Sequence, residues 1–405
     1  MHFLRPKLFA SRLFASGLSE RRLFKRLPFL ALALFAPASH AAPVGKEKPD
    51  GSWTFAVSGD SRNCGNIVMP AIAAGARRDG ASFYWHLGDL RAIYKVDEDF
   101  AAERRFRNYA YPPSISDYLH TAWDDFTQHE VAPFGNMPFF IGIGNHEIIP
   151  PKSRVQFRTT FGALLDRPQL HAQRVFDLHS RPAIPATAAD ETYNHWTRRG
   201  VDFINLDNTV GDSLDDPQLT WFDAVLAADL AEPAIHSIVV GMHEPLPHGL
   251  SDDHSMCASA DGIRSGEHVY RRLAAAQRRK PVYVIASHEH YYLANVYDTP
   301  YWRDPVQGAG VLPGWVVGTA GAQRYPLPTG IQPGTDARQH VYGYLLGHVA
   351  KDGRISFTFR ELDEAALQKT RGSDYSEEAV GLCMANNPAT LPPPPKKVSC
   401  EPPSP

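Results

Sequence analysis

Long apolar runs are scarce in this chain, and the one near its start, Leu27 to Phe35, is too short to serve as a permanent membrane anchor. Cysteine is scarce as well, at four in 405 residues. No cysteine motif has the spacing of a zinc site, which excludes a thiolate-built metal module. Internal repeats are absent, so a solenoid or propeller is not expected. Surplus positive charge is also missing. The first 42 residues hold seven of the 41 Lys and Arg and one of the 44 acids, so their removal moves the net charge from −3 to −9. A chain that acidic is a poor general binder of phosphate backbones, and no nucleic-acid duplex binding is expected. A small substrate fits better.

What is present begins with a leader. Arg5, Lys7, Arg12, Arg21, Arg22, Lys25 and Arg26 precede the apolar run, and Ala38-Ser39-His40-Ala41-Ala42 has the small residues of a cleavage site. Ser19-Glu20-Arg21-Arg22-Leu23-Phe24-Lys25 resembles a bacterial twin-arginine export signal; an ordinary secretory signal with a long basic start is the alternative. Residues 1–42 are thus expected to direct export to the periplasm or the medium. In an oxidising compartment the four cysteines are expected to form two disulfides. The preferred pairing is Cys64 with Cys257 and Cys383 with Cys400, although spacing alone does not decide it.

The remaining chain alternates apolar strand-like runs with longer, partly amphipathic stretches. Strands are expected at 53–58, 83–87, 137–143, 201–206, 235–242 and 282–286, and helices at 66–78, from 97, at 116–131, 217–229 and 266–279. Residues 342–349 and 355–359 read as a hairpin across Asp352-Gly353. Residues 150–190, rich in Arg, His and Pro and weak in periodicity, read as an insertion over the fold. The expected organisation is a domain over 43–365 followed by a Pro-rich tail over 366–405. Strands alternating with helices, then a β-rich end, point to an α/β class: a four-layer α-β-β-α sandwich of two mixed sheets with flanking helices.

Five short segments with metal-type ligands each follow an apolar run: Ser58-Gly59-Asp60-Ser61-Arg62, Leu87-Gly88-Asp89, Gly144-Asn145-His146-Glu147, Gly241-Met242-His243-Glu244 and Ser287-His288-Glu289-His290. Open α/β sheets place their ligands just past the carboxyl ends of strands, and these segments occupy those positions. Oxygen and imidazole donors together suit Zn, Fe or Mn better than Ca.

The order of these segments resembles the calcineurin-like metallophosphoesterase superfamily. Gln218-Leu-Thr-Trp221, His290-Tyr-Tyr292 and Gly318-Thr-Ala-Gly-Ala322 look like its purple-acid-phosphatase side. The resemblance implies two divalent or trivalent ions. Asp60, Asp89 and His290 would hold the first; Asp89, Asn145, His243 and His288 would hold the second, with Asp89 bridging. It implies a phosphoesterase acting on monoesters or diesters of a small substrate through a metal-bound hydroxide. His146 would stabilise the phosphoryl oxygens and protonate the leaving group, and Glu147 would pair with it and raise its pKa. A non-catalytic metal- and phosphate-binding module on the same scaffold is the alternative.

One departure stands out. Where relatives carry a first-motif histidine, this chain has Arg62, and where the purple group carries a tyrosine it has Ala92. Three explanations stay open: an open, water-filled position; a ligand from Tyr94 or His86; or Arg62 in the ligand's place, gripping phosphate through its guanidinium. Glu244 could orient His243, and Gly65 and Asn66 could offer donors to a phosphate.

Overall fold

The apolar runs pair into two sheets. The computed structural model describes residues 51–106, 111–251, 255–306, 308–387 and 400. The leader at 1–42 and the Pro-rich stretches at 392–397 and 401–405 lie outside them. The strands are β1 (Trp53–Ser58), β2 (Ala81–His86), β3 (Phe139–Ile141), β4 (Asn194–Arg198), β5 (Val201–Asn205), β6 (Ser237–Gly241), β7 (Val282–Ala286), β8 (Tyr292–Ala294), β9 (Gly314–Val317), β10 (Ala337–Arg338), β11 (Tyr342–Val349) and β12 (Ile355–Leu362). One sheet runs β12-β11-β1-β2-β3 and the other β10-β8-β9-β7-β6-β5-β4. Both are mixed: β1-β2-β3 and β5-β6-β7-β9 are parallel, and the flanking strands are antiparallel.

The sheets meet through aromatic side chains. Phe55 and Phe83 from the first sheet each lie 5.0 Å from Phe203 of the second, and Phe140 stacks on Trp196 at 3.9 Å. Each such ring, fully buried, contributes about 1.5–3 kcal/mol of apolar transfer. Helix Gly65–Arg78 covers the outer face of the first sheet with Ile67, Val68 and Ile72; helices Asp216–Ala231 and Ala260–Gln277 cover the second with Phe222, Val225, Val269 and Leu273. The central parallel strands are therefore buried on both faces, which is why they read as unbroken apolar runs. The expected four-layer sandwich is the observed one.

Residues 150–190 carry more regular structure than their composition suggests. Ser153 caps helix Arg154–Leu165 by accepting from the Gln156 amide, and Pro168 opens helix Pro168–Ser180 at its first turn. Phe157, Phe161 and Leu165, four residues apart, seat the first helix on the core; Thr159, Thr160 and Ala163 between them face outward. Residues 364–385, across the boundary expected for the tail, form helices Glu364–Thr370 and Glu377–Ala385, capped by Asp363 and Ser376.

The disulfides correct the preferred pairing. Cys64 joins Cys383, with Cα atoms 5.9 Å apart, and Cys257 joins Cys400, at 5.3 Å. Helix Glu377–Ala385 lies in the same core cluster as the start of helix Gly65–Arg78, which brings Cys383 to Cys64 rather than to the tail. Two disulfides fit an oxidising, extracytoplasmic compartment. Among the described residues no helix is long and apolar enough to cross a membrane.

Candidate metal centre

β1, β2 and β3 of one sheet, and β6 and β7 of the other, all end at the same rim. Asp60, Asp89, Asn145, His243 and His288 each lie two to four residues past a strand end. Gly59 donates to the Val317 carbonyl across the sheets at 3.1 Å, and the Ser287 hydroxyl donates to the Leu87 carbonyl at 3.1 Å. The backbone turns sharply at three of these residues: Asp60, Asp89 and His288 have φ of 61°, 59° and 70°. That left-handed conformation costs a side-chain-bearing residue on the order of 1–2 kcal/mol, least for aspartate and asparagine. Gly88, at φ 94°, and Gly144 have no room for a Cβ: it would meet the Gly144 backbone in one case and the Asp89 carboxylate in the other.

Asp89 is fully buried, and its two oxygens face different neighbours. Oδ1 lies 3.3 Å from His243 Nε2 and accepts from the His146 amide at 3.0 Å. Around it, His243 Nε2 is 3.0 Å from both Asn145 Oδ1 and His288 Nδ1. The Nδ1 of His243 faces the Leu87 carbonyl and the Ser287 hydroxyl at 3.0 and 3.1 Å, so that nitrogen carries the hydrogen and Nε2 presents a lone pair. Ligand atoms of Asp89, His243 and His288 all lie within 4.8 Å of one another. This donor set fits a metal ion: acceptors converge where only a cation satisfies them together. A proton on His243 Nε2 is the cation that an ion would displace. Burial opposes a charged His243, yet the adjacent Asp89 pushes its pKa up to about 10. Burial likewise opposes the Asp89 charge, but His146, His243 and Arg62 outweigh it and hold that carboxyl well below its ordinary range.

Asp89 Oδ2 faces the other way, toward Arg62 Nε at 3.4 Å and His146 Nε2 at 3.6 Å. Beyond lie Asp60, whose Oδ2 accepts from the His288 amide at 2.7 Å, and His290, whose Nε2 is 3.3 Å from Asp60 Oδ1. His290 Nδ1 donates to the Gln323 carbonyl at 2.8 Å, and its Nε2 receives Arg62 Nη2 at 2.9 Å. All the residues expected for the first ion are here, but a guanidinium already touches two of them. Arg62, buried and beside Asp89, Tyr325 and Asp60, keeps its charge. As it stands this set does not fit a metal ion.

The other candidates for that slot are held differently. Tyr94 is 56% exposed and packs against the His146 ring at 5.3 Å. His86 is buried against Phe126 and Phe139, its Nδ1 accepts from the Gly88 amide at 3.2 Å, and burial lowers its pKa to about 3.

Glu147 corrects another expectation. It does not pair with His146. Its carboxylate accepts from the amides of Asp89, Gly144 and Leu90 at 2.8, 2.8 and 2.9 Å, clamping the second and third motifs together. His146 instead donates from Nδ1 to the Ala92 carbonyl at 2.6 Å. Burial first, then Arg62, moves its pKa down to about 4 rather than up. Glu244 bonds to Asp212, while the Nδ1 of His243 is held by Leu87 and Ser287. The Asn66 amide donates to Asp99 and its side chain to Asp125 and Tyr375, so it serves a buried network centred on Arg91 rather than a phosphate.

Sequence reading missed several parts of this centre. The carbonyls of Leu87, Ala92 and Gln323, which fix three imidazoles, have no residue signature. Tyr325, whose ring lies 4.2 Å from that of His290, belongs to no recognised motif.

The family model for calcineurin-like phosphoesterases matches residues 68–292, more than half of the 405-residue chain. The chain belongs to the calcineurin-like phosphoesterases. Asp89, Asn145, His243, His288 and His290 lie inside the matched span, and Asp60 and Arg62 precede it. The expectation drawn from the five motifs is borne out at the level of this family. Among curated proteins none matches the chain. Solved structures similar to the chain at low identity include the following three. The purple acid phosphatase of yellow lupin (Lupinus luteus) is 14% identical with a TM-score of 0.47, over 78% of this chain and 55% of that one. PhoD is 15% identical with a TM-score of 0.44, over 85% and 77%. The 5'-nucleotidase of Candida albicans is 12% identical with a TM-score of 0.37, over 82% and 55%. The chain thus spans about half the length of the lupin and Candida proteins.

Proposed function

We propose that this chain is an exported, metal-dependent phosphoesterase that hydrolyses monoesters or diesters of small phosphate-bearing molecules. One observation carries the reading: Asp89, Asn145, His243 and His288 bring four ligand atoms to one point at the rim between the sheets. An ion there would be held by Asp89, Asn145, His243 and His288 and would supply Lewis acidity toward the phosphoryl oxygens and toward water.

The chain's own groups do the rest. Asp89 and Asn145 fix the donor set, and the Leu87 carbonyl keeps His243 in the tautomer that presents Nε2. Arg62 presents a permanent positive charge beside the reacting phosphorus, where charge on the oxygens grows. His146, with Nδ1 committed to Ala92, has Nε2 as its proton-exchanging atom, 3.6 Å from Asp89 Oδ2 and facing the centre. Its pKa of about 4 leaves Nε2 unprotonated near neutrality, so it passes a proton to the leaving oxygen only once a bound phosphate's negative charge has raised that value. Glu147 touches no substrate in this reading; it positions Asp89.

The test uses the full chain with Zn, Mn or Fe added, on p-nitrophenyl phosphate and bis-p-nitrophenyl phosphate. Metal-stimulated turnover is expected, and Asp89→Ala and Asn145→Ala are expected to abolish it with the far-UV circular dichroism unchanged. Full turnover in both variants would overturn the assignment. A second reading, a non-catalytic metal- and phosphate-binding module, is favoured by Arg62 standing where relatives place a ligand. Phosphate binding without turnover of any ester would select it.

A further inference from the structure

The Asp89 carboxylate separates two positions that differ in what faces their donors. On the Oδ1 side, the neutral His243 ring, its hydrogen on Nδ1, turns the Nε2 lone pair to Asn145 Oδ1 at 3.0 Å, acceptor against acceptor. On the Oδ2 side, His290 is also held as the Nδ1–H tautomer, by the Gln323 carbonyl, but its Nε2 lone pair already accepts a hydrogen from Arg62 Nη2 at 2.9 Å. Arg62 Nε lies 3.4 Å from Asp89 Oδ2. The first position wants a cation; the second contains one.

The arrangement around Arg62 is built rather than incidental. The residue is 8% exposed, and its amide and that of Ser61 point at the Asp89 carbonyl at 3.4 and 3.0 Å. Asn63 is anchored to Asp97 at 2.7 Å, and Cys64 is bonded to Cys383. Tyr325 lies against the His290 ring, so that imidazole has little freedom to swing away. Residue 92 supplies only a carbonyl, which His146 uses. Three donors remain on this side, Asp60, Asp89 and His290. The charges point the same way. Two carboxylates against one guanidinium and one divalent ion leave a net +1. A second divalent ion would raise this to +3, with like charges packed within about 4 Å of each other.

We propose that this chain holds one resident metal ion, on Asp89, Asn145, His243 and His288, and that the Arg62 guanidinium stands in for a second ion and grips the substrate's phosphoryl oxygens. The inference rests on the phosphoesterase reading of the same site. With Nε and Nη2 turned toward Asp89 and His290, Nη1 is the edge left for a phosphoryl oxygen, in the planar geometry that suits phosphate.

The test counts ions. Metal-stripped protein is titrated with Zn²⁺ or Mn²⁺ by calorimetry, and bound metal is measured by elemental analysis, for the wild type, Arg62→Gln and Arg62→His. One ion per chain is expected in the wild type and in Arg62→Gln, and two in Arg62→His, which restores an imidazole. Inorganic phosphate is expected to bind the Zn-loaded Arg62→Gln protein at least tenfold more weakly than the wild type. Two ions in the wild type would overturn this inference and leave the phosphoesterase reading intact; no bound ion would overturn both. One ion with unchanged phosphate affinity in Arg62→Gln would overturn the role given to the guanidinium. Should circular dichroism show Arg62→His unfolded, the wild-type count and the Arg62→Gln affinity decide.

Discussion

His146 shows how one side chain is prepared by atoms that no motif records. Its Nδ1 donates to the Ala92 carbonyl at 2.6 Å, its amide donates to Asp89, and its ring lies beside Tyr94. Only Nε2 is left to exchange a proton with a substrate. His146→Ala is therefore expected to lower turnover about 10²-fold or more, and to do so more severely on alkyl phosphates than on p-nitrophenyl esters. Equal losses on both substrates would remove the proton-transfer role. The metal-type residues of this centre were legible because their chemistry resides in side chains and each follows an apolar run. Glu147 was misjudged because adjacency in sequence suggested a partner. The 3₁₀ turn at Asn145–Ile148 instead points its carboxylate back at the amides of Asp89, Leu90 and Gly144.

Among the elements, helix Pro168–Ser180 is joined to the second sheet by charge as well as by packing. His195 on β4 bridges Asp177 of that helix and Asp202 of β5, both at 2.8 Å, with all three groups nearly buried. Burial opposes an imidazolium there, but Asp202 and Asp177 prevail and raise the pKa to about 10. The folded value exceeds the ordinary 6.5, so this bridge contributes in full below about pH 6.5 and is lost as pH rises through 10. The melting temperature is expected to fall between pH 7 and 10. His195→Gln is expected to flatten that slope and to cost about 3–5 kcal/mol at pH 7, measured by denaturant unfolding at several pH values. An unaltered slope would remove His195 from the account. The helices at 154–180 were hidden from a sequence reading because their buried positions, Phe157, Phe161, Leu165 and Leu170, are sparse, and Val175, Phe176 and Leu178 are apolar yet exposed. The central strands were plain for the opposite reason: both of their faces are apolar.

At the scale of the molecule, the two sheets and their outer helices followed from the alternation of strands and helices, whereas the covalent links did not. Pairing depends on which surfaces helix Glu377–Ala385 covers, and that is a tertiary fact. The Cys64–Cys383 bond closes a separation of 319 residues, for which the chain-entropy account gives on the order of 5 kcal/mol. Cys383→Ser is expected to lower the melting temperature by several degrees and to weaken phosphate binding, since the bond anchors the segment that carries Asp60 and Arg62; a melting temperature equal to the wild type's would deny it a structural role. The same bond has a practical corollary. Breaking it with a reductant would expose a sulfur four positions along from Asp60, and thiolates compete well for soft ions such as zinc. Stoichiometries taken in dithiothreitol would then describe a sulfur-bearing artefact, so the protein should be assayed oxidised from harvest onward.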